Sequence, residues 1–240
     1  QARKLLSRLE LPGEDYFRVL ERIHAHLRPR NYIEIGIWKG KSLRLARPAT
    51  LALGVDPAPQ LKVAPGPNVH LFPETSDDFF AKHDVVAELA GRRLELALID
   101  GMHHFEYALR DFMNLERVSD PQSIVLVHDC CPLDAQSAQR ERTTVFWSGD
   151  VWRMMVLLRK YRPDLSVHTI AAPPTGLGII LNLDPSSQTL AQNFDAIVAE
   201  GLALDYAALE GRKAQLLNLY PNSWRKIREL IDSRRSPARQ

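Results

Sequence analysis

Tyr32-Ile-Glu34-Ile-Gly36-Ile-Trp38-Lys-Gly40-Lys-Ser42 is the stretch on which the fold turns. A short apolar run with no room for a helix stops at Gly36, where the missing side chain lets the chain turn sharply off a strand. Gly40 lets backbone approach a ligand beside the N-terminus of an apolar helix expected to begin near Ser42. The next apolar run, Leu51–Val55, ends in Gly54-Val-Asp56-Pro57. A carboxylate at that strand end can accept hydrogen bonds from ribose hydroxyls, in the crevice where open α/β sheets bind nucleotide-like ligands. The spacing Gly36 to Gly40 is G-x-x-x-G, not the G-x-G-x-x-G of a pyrophosphate loop, so a dinucleotide is disfavoured.

Outward from this stretch, short apolar runs alternate with amphipathic ones from Tyr32 to Leu183, the pattern of parallel strands joined by helices. Strands are predicted at Tyr32–Ile35, Leu51–Val55, Val69–Phe72, Leu94–Ile99, Ser123–Val127, Ser166–Ile170 and Gly178–Leu181. Helices are expected over Asp77–Leu89 with Ser76 or Thr75 as cap, after His104 through Val118, and over Val151–Tyr161. The turn residues Pro173-Pro174-Thr175-Gly176 read as a hairpin, which makes the last strand antiparallel. Glu14–Leu27 reads as an amphipathic helix, and Leu190–Leu217 and Ser223–Ile231 as helices after the sheet. The expected organisation is one domain over 1–240, with a core at 30–184, an N-terminal helix at 13–28 and a helical extension at 186–232. Ser233–Gln240 reads as a frayed tail, and the start at Gln1 as a trimmed end.

The charge balance narrows the partners. With 31 basic against 29 acidic residues the net charge is +2, too small to hold a nucleic-acid backbone, so no nucleic acid is expected. No apolar run reaches the ~20 residues of a membrane span and no signal-peptide pattern opens the chain. Cys130 and Cys131 are adjacent, which strains a disulfide and lacks zinc-site spacing, so a cytoplasmic location is expected. End helices of this kind cover a substrate pocket or a subunit interface, and equally often only close the core, so a homo-oligomer is one of the readings they allow.

In the order of these motifs the chain resembles class I S-adenosylmethionine-dependent methyltransferases. The resemblance implies a Rossmann-like α/β fold: a seven-stranded, mostly parallel sheet with an antiparallel last strand, helices on both faces and extra helices at both ends. It also implies S-adenosyl-L-methionine as cofactor, with Glu34 and Gly36 near its methionine part, Gly40 and Ser42 also in the cofactor site, Asp56 at the ribose and Ser76 near the adenine. Trp38 stands where the family often has a middle glycine.

Two further acids end the next strands, in Leu98-Ile-Asp100-Gly-Met-His103-His104 and Val127-His128-Asp129-Cys130. Carboxylates leaving adjacent buried strands at one edge require a cation or hydrogen-bond donors. This portion is similar to metal-dependent small-molecule O-methyltransferases acting on sugars or catechol-type hydroxyls. That similarity implies a divalent cation, magnesium, on Asp100 and Asp129, with His103 as base and His128 at the position of a further ligand. Asp100 also borders the cofactor. His128 is an unusual choice, since magnesium prefers oxygen donors. The stretch Trp147-Ser-Gly-Asp150-Val-Trp152 resembles segments accompanying this motif in bacterial methyltransferases. Asp150 reads as a helix cap before a substrate contact, Trp152 as core, and Trp147 as a pocket wall for a small-molecule substrate. The competing readings are a nucleotide-dependent oxidoreductase, which lacks its glycine loop here, and a catalytically silent cofactor-binding domain.

Overall fold

The computed structural model describes residues 2–234. Eight strands form one sheet: β1 (Asn31–Ile35), β2 (Leu51–Val55), β3 (Val69–Phe72), β4 (Leu94–Ile99), β5 (Ser119–His128), β6 (Ser166–Ile170), β7 (Leu177–Leu181) and β8 (Leu219–Tyr220). Their spatial order is β3-β2-β1-β4-β5-β7-β6-β8. β1 through β5 run parallel, β7 is antiparallel to both β5 and β6, and β8 runs parallel to β6. The order reverses between β1 and β4, which opens a crevice at their carboxyl ends.

Alternation along each buried strand divides the core into two layers. Ile33, Ile35, Leu53, Val55, Ala97, Ile99, Val125 and Val127 face one side. There they meet α3 (Ser76–Lys82), α4 (Val85–Glu88), α5 (Phe105–Arg117) and α6 (Trp152–Tyr161), with α7 (Thr189–Gln192), α8 (Phe194–Ala203) and α9 (Lys213–Leu216) outside. Tyr32, Ala52, Leu96, Leu98, Ile124 and Leu126 face the other side, under α2 (Tyr16–Leu27) and α10 (Trp224–Asp232). α1 (Ala2–Glu10) precedes α2. Asp15 caps α2 by accepting from the Arg18 amide, and left-handed Arg28 ends it before Pro29.

The predicted strands and the antiparallel return match the structure, with β8 as an added edge strand. The helix expected near Ser42 is corrected: only a single 3-10 turn, Leu43–Leu45, forms there. Eight residues separate Ser42 from β2 and Pro48 is among them, which leaves no length for a helix with a free N-terminus. The helix expected over Asp77–Leu89 breaks between α3 and α4, where Asp84 accepts from the amides of Val86 and Ala87. The segment Leu190–Leu217 is likewise divided, because Leu204 and Asp205 are extended and Asp205 caps a short turn of its own. Of the expected tail, residues 235–240 lie outside the described residues; Ser233 and Arg234 close α10, with Arg234 donating to the Gln122 carbonyl.

Candidate active site

The crevice is built from four strand ends. Gly36, with φ +84°, turns the chain off β1, and a Cβ there would stand 2.1 Å from the Asp100 carbonyl oxygen. The close approach is locked by backbone hydrogen bonds: Asp100 N–H to Ile35 carbonyl and Gly36 N–H to Val55 carbonyl, both 2.8 Å. The ends of β1, β2 and β4 are thereby joined at one point. Asp56 stands over the same turn, accepting from the Trp38 amide at 2.7 Å and the Ala58 amide at 2.8 Å. Each carboxylate oxygen keeps a further lone pair for a ligand hydroxyl. Gly40, at φ +65°, leaves room for Leu61, whose Cδ2 would lie 2.2 Å from an added Cβ.

Glu34 is fully buried on the α2 side of β1, the same side as Tyr32. It accepts from the Tyr32 hydroxyl at 2.7 Å and from Ser42 Oγ at 2.5 Å. Burial pushes its carboxyl up to about 8 against these donors, so it is a neutral acid at pH 7. Glu34 and Ser42 brace the turn. Ser76 is turned elsewhere: Thr75 caps α3, and the Ser76 hydroxyl engages the buried Asp111 carboxyl of α5.

At the ends of β4 and β5 the structure brings together Asp100, His103, His128 and Asp129. Asp129 adopts φ +61° and is 4 % exposed. Its Oδ2 lies 3.2 Å from His103 Nδ1 and 3.2 Å from His128 Nδ1. His128 Nδ1 is also 3.0 Å from Asp100 Oδ1, and its Nε2 lies 3.3 Å from Thr175 Oγ1. Burial works against a charged His128 ring, but the flanking Asp129 and Asp100 carboxylates outweigh it and hold its pKa well above the ordinary histidine value. Burial would likewise raise the Asp129 pKa, but His128 and His103 bring it down to about 2.

This geometry alters the ligand set expected from the sequence. His128 directs Nδ1 at both carboxylates as a donor, the opposite of what a metal ligand does. Among the described residues, Asp100, His103 and Asp129 each offer one donor atom within 4.8 Å of the others.

Tyr16, which the sequence did not single out, reaches the site from the start of α2 and lies on the His128 ring at a centroid distance of 3.9 Å. Its amide donates to the Pro173 carbonyl, tying α2 to the turn that carries Thr175. Only a tertiary contact reveals it. Trp147 stacks on His103. Trp152 is core, 1 % exposed. Asp150 is fully buried and caps α5 across the chain, accepting from the Phe105 amide at 2.9 Å while Arg140 and Arg153 pair with its other oxygen. His104 stands at the N-cap position of α5, its Nε2 3.0 Å from the Arg140 carbonyl.

With this geometry in view, residues 33–130 match a protein family described as a methyltransferase domain. Three solved structures share the fold. The SAH-bound methyltransferase PaMTH1 of Podospora anserina has a TM-score of 0.55 at 13 % identity, over 76 % of this chain and 87 % of that one. A putative O-methyltransferase from Klebsiella pneumoniae has a TM-score of 0.51 at 11 % identity, over 76 % and 89 %. The O-methyltransferase TomG of Streptomyces achromogenes, involved in tomaymycin synthesis and solved with SAM, has a TM-score of 0.50 at 13 % identity, over 76 % and 88 %. No curated protein matches the sequence. The chain shares its fold with these methyltransferase structures, and its residues 33–130 match the methyltransferase-domain family.

Proposed function

We propose that this methyltransferase-domain enzyme moves the methyl group of S-adenosylmethionine onto a hydroxyl of a sugar or another small hydroxylated metabolite. The observation that carries the reading is the pairing of His103 Nδ1 with buried Asp129, one strand away from the Gly36 turn. When bound, the cofactor supplies an electrophilic methyl on a sulfonium. The chain's own residues do the rest. Asp56 offers two acceptors to the ribose, and the Gly36–Gly40 turn, braced by Glu34 and Ser42, lets backbone pass close to the methionine part. Asp129 holds the His103 ring with Nδ1 toward itself, which leaves Nε2 to take the proton from the acceptor hydroxyl. The methyl replaces that proton on oxygen.

A second reading, favoured by the grouping of Asp100, His103 and Asp129, adds a divalent cation. Two carboxylates and an imidazole fit such an ion, though the nitrogen suits a transition metal better than magnesium. The ion would lower the pKa of a bound hydroxyl, and His103 would then serve as one of its ligands. The near-balanced charge favours a small molecule over nucleic acid, and two unpaired buried cysteines suit a reducing compartment such as the cytoplasm. No helix among the described residues is long and apolar enough to cross a membrane.

The deciding experiment is a calorimetric titration with S-adenosylhomocysteine and, separately, NAD, followed by transfer assays on a panel of hydroxylated acceptors. Binding of the first alone, with transfer lost in Asp129→Asn while cofactor binding survives, is the expected result. Binding of NAD alone sinks the reading. Dialysis against chelator and resupply of magnesium or manganese separates the two versions: activity that survives chelation excludes the ion.

A further inference from the structure

We infer that Trp147 is a positioning residue for His103, holding the imidazole at the one orientation from which it can take a proton. The inference rests on the reading of His103 as base. The indole and imidazole rings stack at a centroid distance of 4.7 Å with only 5° between their planes. That is the offset parallel arrangement aromatic rings favour, and it opposes rotation of the smaller ring about its side-chain axis. Edge contact with Asp129 at 3.2 Å fixes one nitrogen, but a single contact at that distance leaves the plane free to tilt. His103 Nδ1 is buried without a hydrogen bond of good geometry, so Asp129 alone does not set the ring plane. The stacked indole does.

Trp147 is itself held. Its Nε1 donates to the Gln139 carbonyl at 2.6 Å, so the loop that carries it also orients it. Next to it, the amides of Ser148 and Gly149 donate to the Ser137 carbonyl at 3.0 and 3.2 Å. Gly149, at φ +64°, lies so close that a Cβ would stand 1.9 Å from the His103 carbonyl, and the Asp150 amide donates to that same carbonyl at 3.1 Å. The irregular segment between β5 and α6 thus grips His103 twice, by its backbone carbonyl and by its ring. It is long for a connection, and long irregular connections in compact domains are commonly functional.

The test compares Trp147→Leu, which keeps an apolar side chain but removes the π face, with Trp147→Phe, which restores a ring. Heteronuclear NMR of the imidazole carbon-bound protons reports the stack directly and needs no turnover. In the parent protein the His103 protons should lie upfield of exposed histidines, in Trp147→Leu they should return toward those values, and Trp147→Phe should restore part of the shift. In transfer assays, kcat of Trp147→Leu should fall on the order of tenfold or more, as expected for a misplaced reacting group, with KM within about twofold and S-adenosylhomocysteine affinity unchanged. Trp147→Phe should recover most of kcat. Unshifted His103 protons in the parent protein overturn the inference even if Trp147→Leu does not fold, and so does a fully active Trp147→Leu. His103→Gln separates the two claims: if it turns over like the parent, the base reading itself has failed; if it is inactive while Trp147→Leu is fully active, only the role of Trp147 has.

Discussion

Replacing Gly36 by alanine, with Gly91→Ala as its partner, tests whether the strand ends truly converge. Both glycines have a left-handed φ, +84° and +74°, so both substitutions carry the same conformational penalty of about 1–2 kcal/mol. They differ in surroundings. A Cβ at Gly91 meets nothing within 4 Å, whereas one at Gly36 meets the Asp100 carbonyl oxygen at 2.1 Å and Gly101 Cα at 2.5 Å. Both obstacles are backbone at the end of β4, and the oxygen is about 1.3 Å short of ordinary contact at 3.4 Å. Relief requires parting β1 from β4 where the Asp100 amide bonds the Ile35 carbonyl. Such overpacking adds about 1–3 kcal/mol. For a chain of this size each kcal/mol lowers Tm by about 2–4 °C. Gly91→Ala should therefore lose roughly 2–8 °C and Gly36→Ala roughly 4–20 °C by differential scanning calorimetry. In titration calorimetry Gly91→Ala should bind S-adenosylhomocysteine like the parent, and Gly36→Ala at least about tenfold more weakly, a loss of about 1.4 kcal/mol. Equal losses of Tm together with equal affinities would refute the convergence of β1, β2 and β4 on a ligand.

Further expectations bear on single side chains. Asp56→Ala removes the acceptor for the Trp38 and Ala58 amides as well as for a ribose, so affinity for S-adenosylhomocysteine should drop more than about tenfold, each charged hydrogen bond being worth about 1.5–3 kcal/mol. The Glu34 pKa rises from 4.5 to about 8 on folding, so the native state holds a proton the unfolded chain has lost, and its stability falls as pH rises through that window. Glu34→Gln mimics the protonated acid and should flatten the decline of Tm between pH 5 and 8; an unchanged slope would count against the buried acid. Asp150→Ala leaves Arg140 and Arg153 without their shared carboxylate and the Phe105 amide uncapped, at a cost of about 3–5 kcal/mol, seen as a large drop in Tm. Asp129→Asn preserves a residue type that tolerates left-handed backbone, so it should fold and bind cofactor while turnover falls on the order of a hundredfold.

The sheet is legible because buried strands are short apolar runs and each of β1 to β5 ends at a glycine, proline or acid. Leu51–Val55, Val69–Phe72, Leu94–Ile99 and Ser166–Ile170 agree with their predicted bounds at both ends. The segment after Ser42 has the apolar content of a helix but not the length; Pro48 and the nearness of Leu51 permit only one turn. β8 escaped because two residues at a sheet edge carry no period, and its place beside β6 depends on Thr169 and Ile170, far away in sequence. In the site, the acids were found from their positions at strand ends. Hidden from the sequence were the contacts made across the fold: Tyr16 on His128, Trp147 on His103, and Asp150 serving α5 in place of α6.

The conformation of Asp129 explains why the site departs from the expected ligand set. Alternation along β5 sends Val125 and Val127 toward α5 and α6, and Leu126 toward α2. His128 continues on the side of Leu126, which is why Tyr16 of α2 lies over it. By the same alternation Asp129 would follow Val127 into the apolar layer, where an unpaired carboxylate is strongly disfavoured. The left-handed φ of +61° takes it out of that register and sets its Oδ2 3.2 Å from both His103 and His128. Such a conformation costs a non-glycine residue about 1–2 kcal/mol and persists only when its surroundings enforce it. Here two imidazoles hold the carboxylate ionised, with its pKa down to about 2. His128 then serves as the internal cation between Asp100 and Asp129. A divalent ion drawn to the same carboxylates would meet an imidazolium already there, so chelator sensitivity with His128 intact would show that the ion displaces its proton.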